Sequence, residues 1–166
     1  MINKSYGSWE NLIASSYFIL VTSDNESLNG ATIQSMDILK RRFETKLFPL
    51  YEGTRLRRQI TSGDVCFFYL AGRGNCKHCI VGHATVKEIL FPDDQIEFDD
   101  ILGSPVDRYL SLRDITTYPE RVPIHDIKHN LSFIKNTARW GVHFQGGTVR
   151  LQTSDATLIM SKNEVS

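Results

Sequence analysis

The chain has 166 residues and a mass of 18.9 kDa, with 41% hydrophobic and 23% charged residues, which is enough to bury one ordinary core and too apolar for a disordered chain. Its 19 basic and 19 acidic residues cancel. No apolar run approaches the roughly 18 residues of a membrane span, and the first residues lack a basic stretch followed by an apolar one, so a soluble, cytoplasmic protein without a membrane partner is expected.

Residues 1–15, MINKSYGSWENLIAS, read as an N-terminal extension whose Trp9 has no assignable place, and the folded domain is expected over residues 16–166. SYFILVTS, residues 16–23, is a short apolar run closed by the turn-prone SDNES and reads as a buried strand. Ile33, Met36, Leu39, Phe43 and Leu47 then recur at three- and four-residue steps, the stripe of an amphipathic helix whose other side is basic. Pro49 and Gly53 break that pattern, and Ser62-Gly63-Asp64 supplies the turn into VCFFYL, a strand. Gly72 and Gly74 mark a loop. CIVGHATVKEIL, residues 79–90, reads as the strand pairing with it, with Gly82 as a bulge or a point of close approach. After the acidic FPDDQIEFDD, residues 108–115 form another strand, and Pro119 and Pro123 are expected to bound an irregular crossing. Thr153 or Ser154 is expected to cap a terminal helix. Short strands with helices between them and no regular βαβ alternation predict an α+β fold with a mixed, barrel-like sheet and flanking helices.

The neutral total hides a segregation of charge. Residues 40–77 hold nine Lys or Arg against three acids, net +6, whereas residues 88–107 hold seven acids and no Lys or Arg, net −7. The basic block can track a nucleic-acid backbone, or it can dock on the acidic block, and the sequence leaves both open. Cys66, Cys76 and Cys79 are an odd number with no disulfide pattern, and reduced thiols are the simpler reading. Cys76-Lys77-His78-Cys79 is half of a zinc motif without a second half, so no metal and no cofactor is expected.

YFILVTS followed by a polar turn, then FPLY, then ITSGDVCFFYLAGRG running into IVGHATV, then SLRDI, and last LSFIKNTARWGVHFQGG resemble the EVE domain of the PUA-like superfamily, close in fold to YTH domains. The resemblance spans residues 16 to 160. It implies a partly open β-barrel that binds DNA or RNA and accepts a modified, for example methylated, base in an aromatic pocket. Carried over by position, that pocket would consist of Thr22, Ser23, Phe48, Tyr51, Trp140 and His143, with Arg55, Arg57, Arg58 and Arg73 on the nucleic-acid backbone. This chain has Leu28 and Phe48 at places where similar proteins often carry tryptophan. Stacking on an aromatic face is worth about 1 to 3 kcal/mol per base, the reason such a pocket needs aromatic residues. The resemblance implies a reader and not a catalyst. A binding domain without catalytic groups needs an effector to have consequences, and whether that is a partner effector enzyme the sequence leaves open. The alternative is a ribonuclease-like or metal-dependent hydrolase of the same superfamily, although no HExxH, GxSxG or P-loop motif is present. Self-association through the two charge blocks is a further alternative, and the oligomeric state is open.

Overall fold

The computed structural model describes residues 15–27, 29–74, 77–93 and 95–164. Residues 1–14, and with them all but Ser15 of the expected extension, lie outside the described residues, as do Leu28 and Cys76.

One parallel pair of strands carries the site. β1, Tyr17–Thr22, runs parallel to β5, Val65–Leu70, in a register from Tyr17 opposite Val65 to Thr22 opposite Leu70. Both are unbroken apolar runs because both faces of the sheet are covered there. On one face Phe18, Leu20, Cys66, Phe68 and Leu70 join a core with Leu39, Phe48 and Leu50. On the other, Ile19, Phe67 and Tyr69 join Ile124, Phe144, Val149 and Ile159.

The remaining strands extend this pair into a curled six-stranded half-barrel in the order β4-β7-β6-β5-β1-β8, with every other pairing antiparallel. They are β4 (Leu47–Leu50), β6 (Cys79–Leu90), β7 (Arg108–Pro123) and β8 (Thr148–Leu151). A small hairpin, β2 (Asn25–Glu26) with β3 (Thr32–Ile33), follows β1 and leads into helix α1, Ser35–Thr45. Helix α2 (Ile124–Ile127), a kinked 3-10 segment (Thr137–Phe144) and helix α3 (Thr153–Glu164) complete the chain.

Four local expectations are refined. The apolar stripe from Ile33 to Leu47 is helical only over α1: Lys46 turns into the left-handed region at φ 56°, its N–H returns to the Phe43 carbonyl, and Leu47 already belongs to β4. Phe48, Pro49 and Leu50 after the break therefore belong to a strand, and Pro49 is tolerated because β4 lies at the sheet edge. Instead of an irregular crossing at Pro119, β7 continues for 16 residues; the register steps from Gly82 opposite Thr117 to Ile80 opposite Val122, and Pro119 sits in that bulge. Helix α3 is started by Asp155, whose buried carboxylate accepts the N–H of Gln152 at 3.1 Å and both the N–H and hydroxyl of Ser132, rather than by Thr153 or Ser154. Gly82 behaves as expected: a Cβ there would run into the backbone carbonyl oxygen of Thr116.

Candidate nucleic-acid interface

A cavity of about 180 Å³ opens where the C-terminal end of β1 meets β4 and α1. Thr22, Ser23, Phe48 and Tyr51 all line it, so four of the six residues expected in a base pocket come together. A cavity of about 150 Å³ accepts a benzene-sized ring, so this space suits one planar heterocycle. Each wall has a reason to be where it is. Thr22 lies on the same face of β1 as Phe18 and Leu20, the face toward α1. Phe48 is 8% exposed, one edge in the core at 5.8 Å from the ring centre of Phe68 and one edge on the cavity. Tyr51 follows β4 in the turn Tyr51-Glu52-Gly53-Thr54, closed by the Thr54 N–H on the Tyr51 carbonyl at 3.0 Å and the Tyr51 N–H on the Thr54 hydroxyl at 3.1 Å.

Polar groups fix the walls and leave one site open. Arg42, on α1, lines the cavity and forms a two-pronged pair with Asp99 at 2.7 Å and 2.7 Å. The Tyr51 hydroxyl donates to Asp99 at 3.1 Å. Burial, and then the Asp99 charge, push the Tyr51 phenol well above its ordinary range, so it remains a donor. Burial also pushes the Asp99 carboxyl up, but hydrogen bonds from Arg42 and from the Leu102 N–H outweigh it and hold Asp99 below the usual carboxylate range. By contrast, the Thr22 hydroxyl is buried and has no hydrogen-bond partner among the described residues. A buried hydroxyl left unpaired costs about 1 to 3 kcal/mol, and a polar atom of a ligand in the cavity would remove that cost.

Trp140 and His143 are not brought to this cavity. Both lie in the 3-10 segment, where Trp140 packs edge-on against Phe144 at 5.9 Å and His78 at 5.5 Å, and His143 edge-on against Phe133 at 6.2 Å. That segment borders a second cavity of about 270 Å³ on the opposite face of β1, lined by Tyr69, His78 and Phe144. The two cavities share Val21, Ser23 and Gly147. The cavities therefore adjoin: Thr22, Phe48 and Tyr51 line only the first, and the 3-10 segment reaches only the second.

Comparison with known proteins decides the family. The EVE domain profile matches residues 17–162. This chain belongs to the EVE-domain family. Similar solved structures include the human THYN1 protein in complex with 5-methylcytosine containing DNA, at 17% identity over 92% of this chain and 99% of that one with a TM-score of 0.54. The DUF55 domain of human thymocyte nuclear protein 1 gives 16% identity, 91% and 100% coverage and a TM-score of 0.52. Atu2648 from Agrobacterium tumefaciens gives 15%, 90% and 94%, and 0.53. At these identities the likeness is one of fold. No curated protein sequence matches the chain.

Around the cavity of this EVE domain the arginines differ in how they are held. Arg55 is exposed; its side chain packs over Gly146, next to the cavity-lining Gly147, and its N–H donates to the Gly146 carbonyl at 3.1 Å. Arg58 and Arg73 are also exposed, and none of these three forms an ion pair among the described residues. Arg57 differs: it is half-buried and pairs with Asp107 at 3.1 Å. The glycine loop is not open backbone either. Asp24 accepts from Lys77 at 2.8 Å, from the Ser35 N–H at 2.8 Å and from the Arg73 N–H at 3.4 Å. Gly72, at φ 119°, leaves room for that carboxylate, which a Cβ would strike. The Lys77 hydrogen bond foremost lowers the Asp24 carboxyl to about 2.

The EVE domain's charge blocks therefore dock in part, through Arg42 with Asp99 and Arg57 with Asp107, while Arg55 and Arg58 stay exposed. Sequence reasoning missed Arg42 as a cavity residue, although its position four after Ile38 and three after Leu39 puts it on the inner side of α1. Nothing in the acidic run singles out Asp99. Of the cysteines, Cys66 and Cys79 are buried in the sheet, and burial pushes the Cys66 thiol far above its ordinary range. Among the described residues no three His, Cys, Asp or Glu side chains gather as a metal site would need, and no helix is long and apolar enough to cross a membrane.

Proposed function

We propose that this EVE domain is a binding module for DNA carrying a methylated base, and that the base, turned out of its stack, enters the cavity of Thr22, Ser23, Phe48 and Tyr51. The observation that carries this reading is the unpaired, buried Thr22 hydroxyl on the wall of a cavity the size of one base. Membership of the EVE family supports it, as does the fold shared with the human THYN1 protein solved with 5-methylcytosine containing DNA. In this reading Phe48 and Tyr51 provide the faces against which the base rests, and Asp99 and Arg42 keep the Tyr51 ring in place. Thr22 exchanges a hydrogen bond with the polar edge of the base. A methyl group adds roughly 0.8 kcal/mol when buried, so discrimination comes from shape and the loss of water. Exposed Arg55, Arg58 and Arg73 contact phosphates, which gives affinity without sequence preference. Trp140 and His143, in the 3-10 segment that borders the second cavity through Gly141 and Phe144, act on the nucleotide neighbouring the inserted base. No residue is assigned to catalysis, and the consequence of binding falls to an effector enzyme.

Fluorescence anisotropy with a labelled duplex carrying one 5-methylcytosine, and with its unmethylated twin, tests the reading. The expected result is about tenfold tighter binding of the methylated duplex, corresponding to roughly 1.4 kcal/mol, lost in Tyr51→Ala. Equal affinity for the two duplexes would overturn the reading.

A further inference from the structure

The described residues expose five large apolar side chains, and four of them fall between positions 90 and 98: Leu90 at 38%, Phe91 at 64%, Ile96 at 73% and Phe98 at 60%. Single exposed apolar residues are ordinary; four in nine positions make a patch of the kind that marks an interaction site. The patch is also held in shape. The Arg108 guanidinium stands 5.0 Å from the ring centre of Phe91, and Asp107 holds Arg108 at 2.7 Å. A ring fixed in this way loses little freedom on binding.

Shallow cavities lie on both sides of Phe91. One, of about 500 Å³, is bordered by Phe98, Leu47 and Tyr109; the other, of about 430 Å³, by Ile96, Pro92 and Pro105. Their rims are acidic. Asp93 borders both, Glu97 and Asp100 border the first, and Glu52 the second. The nearby cations are already engaged, Arg42 with Asp99 and, at 3.6 Å, with Asp100, and Arg57 and Arg108 with Asp107. The surplus charge of this face is negative, so it repels a phosphate backbone, and it meets the Thr22–Tyr51 cavity only at Arg42 and Pro49.

We infer that the face around Phe91, Ile96 and Phe98 docks a segment of another protein that carries apolar anchors flanked by Lys or Arg. The anchors fill the two cavities beside Phe91, and the cations meet Asp93, Glu97 and Asp100. An apolar centre inside a rim of one charge sign selects for a segment of the opposite sign, and rejects nucleic acid and acidic segments. The inference does not rest on the methylated-base reading: it concerns another face with the opposite charge preference.

The probe is a labelled amphipathic 14-residue peptide of Leu and Lys, compared with a Leu/Glu and a Ser/Lys peptide of the same pattern, read by anisotropy on the full chain. The Leu/Lys peptide is expected to bind at least about tenfold more tightly than either control. It is expected to lose at least about tenfold both in Phe91→Ser/Phe98→Ser and in Asp93→Lys. These residues are exposed, so thermal unfolding of both variants stays close to that of the parent, and methylated-duplex binding measured alongside stays unchanged. Binding of the Leu/Lys peptide that matches the Ser/Lys peptide, or that ignores both variants, would overturn the assignment. So would a dimer in sedimentation that dissolves in Phe91→Ser/Phe98→Ser, which gives the patch to a second copy. Tighter binding of a synthetic peptide of residues 1–14 to the same face would give it to the chain's own first residues.

Discussion

Arg42 and Asp99, 57 residues apart in the chain, meet in two parallel hydrogen bonds of 2.7 Å each with both side chains almost wholly buried. This pair joins the basic block to the acidic one, and through the Tyr51 hydroxyl it also sets the wall of the cavity. Removing one partner of a buried pair leaves a charge without compensation. Asp99→Ala is expected to cost about 3 to 5 kcal/mol in urea unfolding, whereas Tyr51→Phe, which removes one hydrogen bond at the edge of the network, costs about 1 kcal/mol. Equal small losses in both would mean that the pair is solvated.

Thr22→Val replaces the unpaired hydroxyl with a methyl of similar size. Stability is expected to be unchanged or to rise by up to about 1 kcal/mol, because a buried unpaired group is lost. Affinity for the 5-methylcytosine duplex falls about tenfold at the same time. Opposite movements of stability and binding separate a ligand-facing hydroxyl from a structural one; a loss of stability would place Thr22 in the core instead.

Among the arginines, Arg55 and Arg57 are expected to behave differently even though both precede the Gly63 turn. Arg55→Ala should lower the dependence of DNA affinity on salt by about one unit in the log-log slope, the signature of one lost phosphate contact. Arg57→Ala should leave that slope unchanged, since its guanidinium is held by Asp107. Titration of anisotropy between low and moderate salt reads both.

Stability should fall in two pH windows. The Asp24 carboxyl is held at about 2, below its ordinary 3.8, chiefly by Lys77, so its contribution is complete above 3.8 and is lost as the pH falls from there toward 2. Asp99 and Asp107, also held below the ordinary range, contribute in the same direction. His83 is lowered by burial, with Nδ1 2.7 Å from the Tyr118 hydroxyl, so the folded state favours the neutral ring and stability declines as the pH falls below 6.5. Urea midpoints from pH 8 to pH 3 should therefore show Asp24→Asn flattening the acid window and His83→Gln the upper one.

Much of this protein was legible in the order of its residues. The unbroken runs of β1 and β5 announce strands covered on both faces, the three- and four-residue apolar steps announce α1, and the pieces from YFILVTS to RWGVHF carry the family. These signals are local, set by the period of a helix or a strand and by the turn chemistry of Gly and Pro. What only the tertiary structure decided is which distant residues meet. Asp99 is one acid in an acidic run until the chain folds it onto Arg42. Trp140 fits the pocket by position, and only the fold places it against His78 and Phe144, which line the adjoining cavity rather than that of Phe48 and Tyr51. Long-range pairing depends on the curl of the sheet and on register steps such as the one between Ile80 and Gly82 that Pro119 faces. No periodicity along the chain encodes that geometry, because it arises from packing between elements.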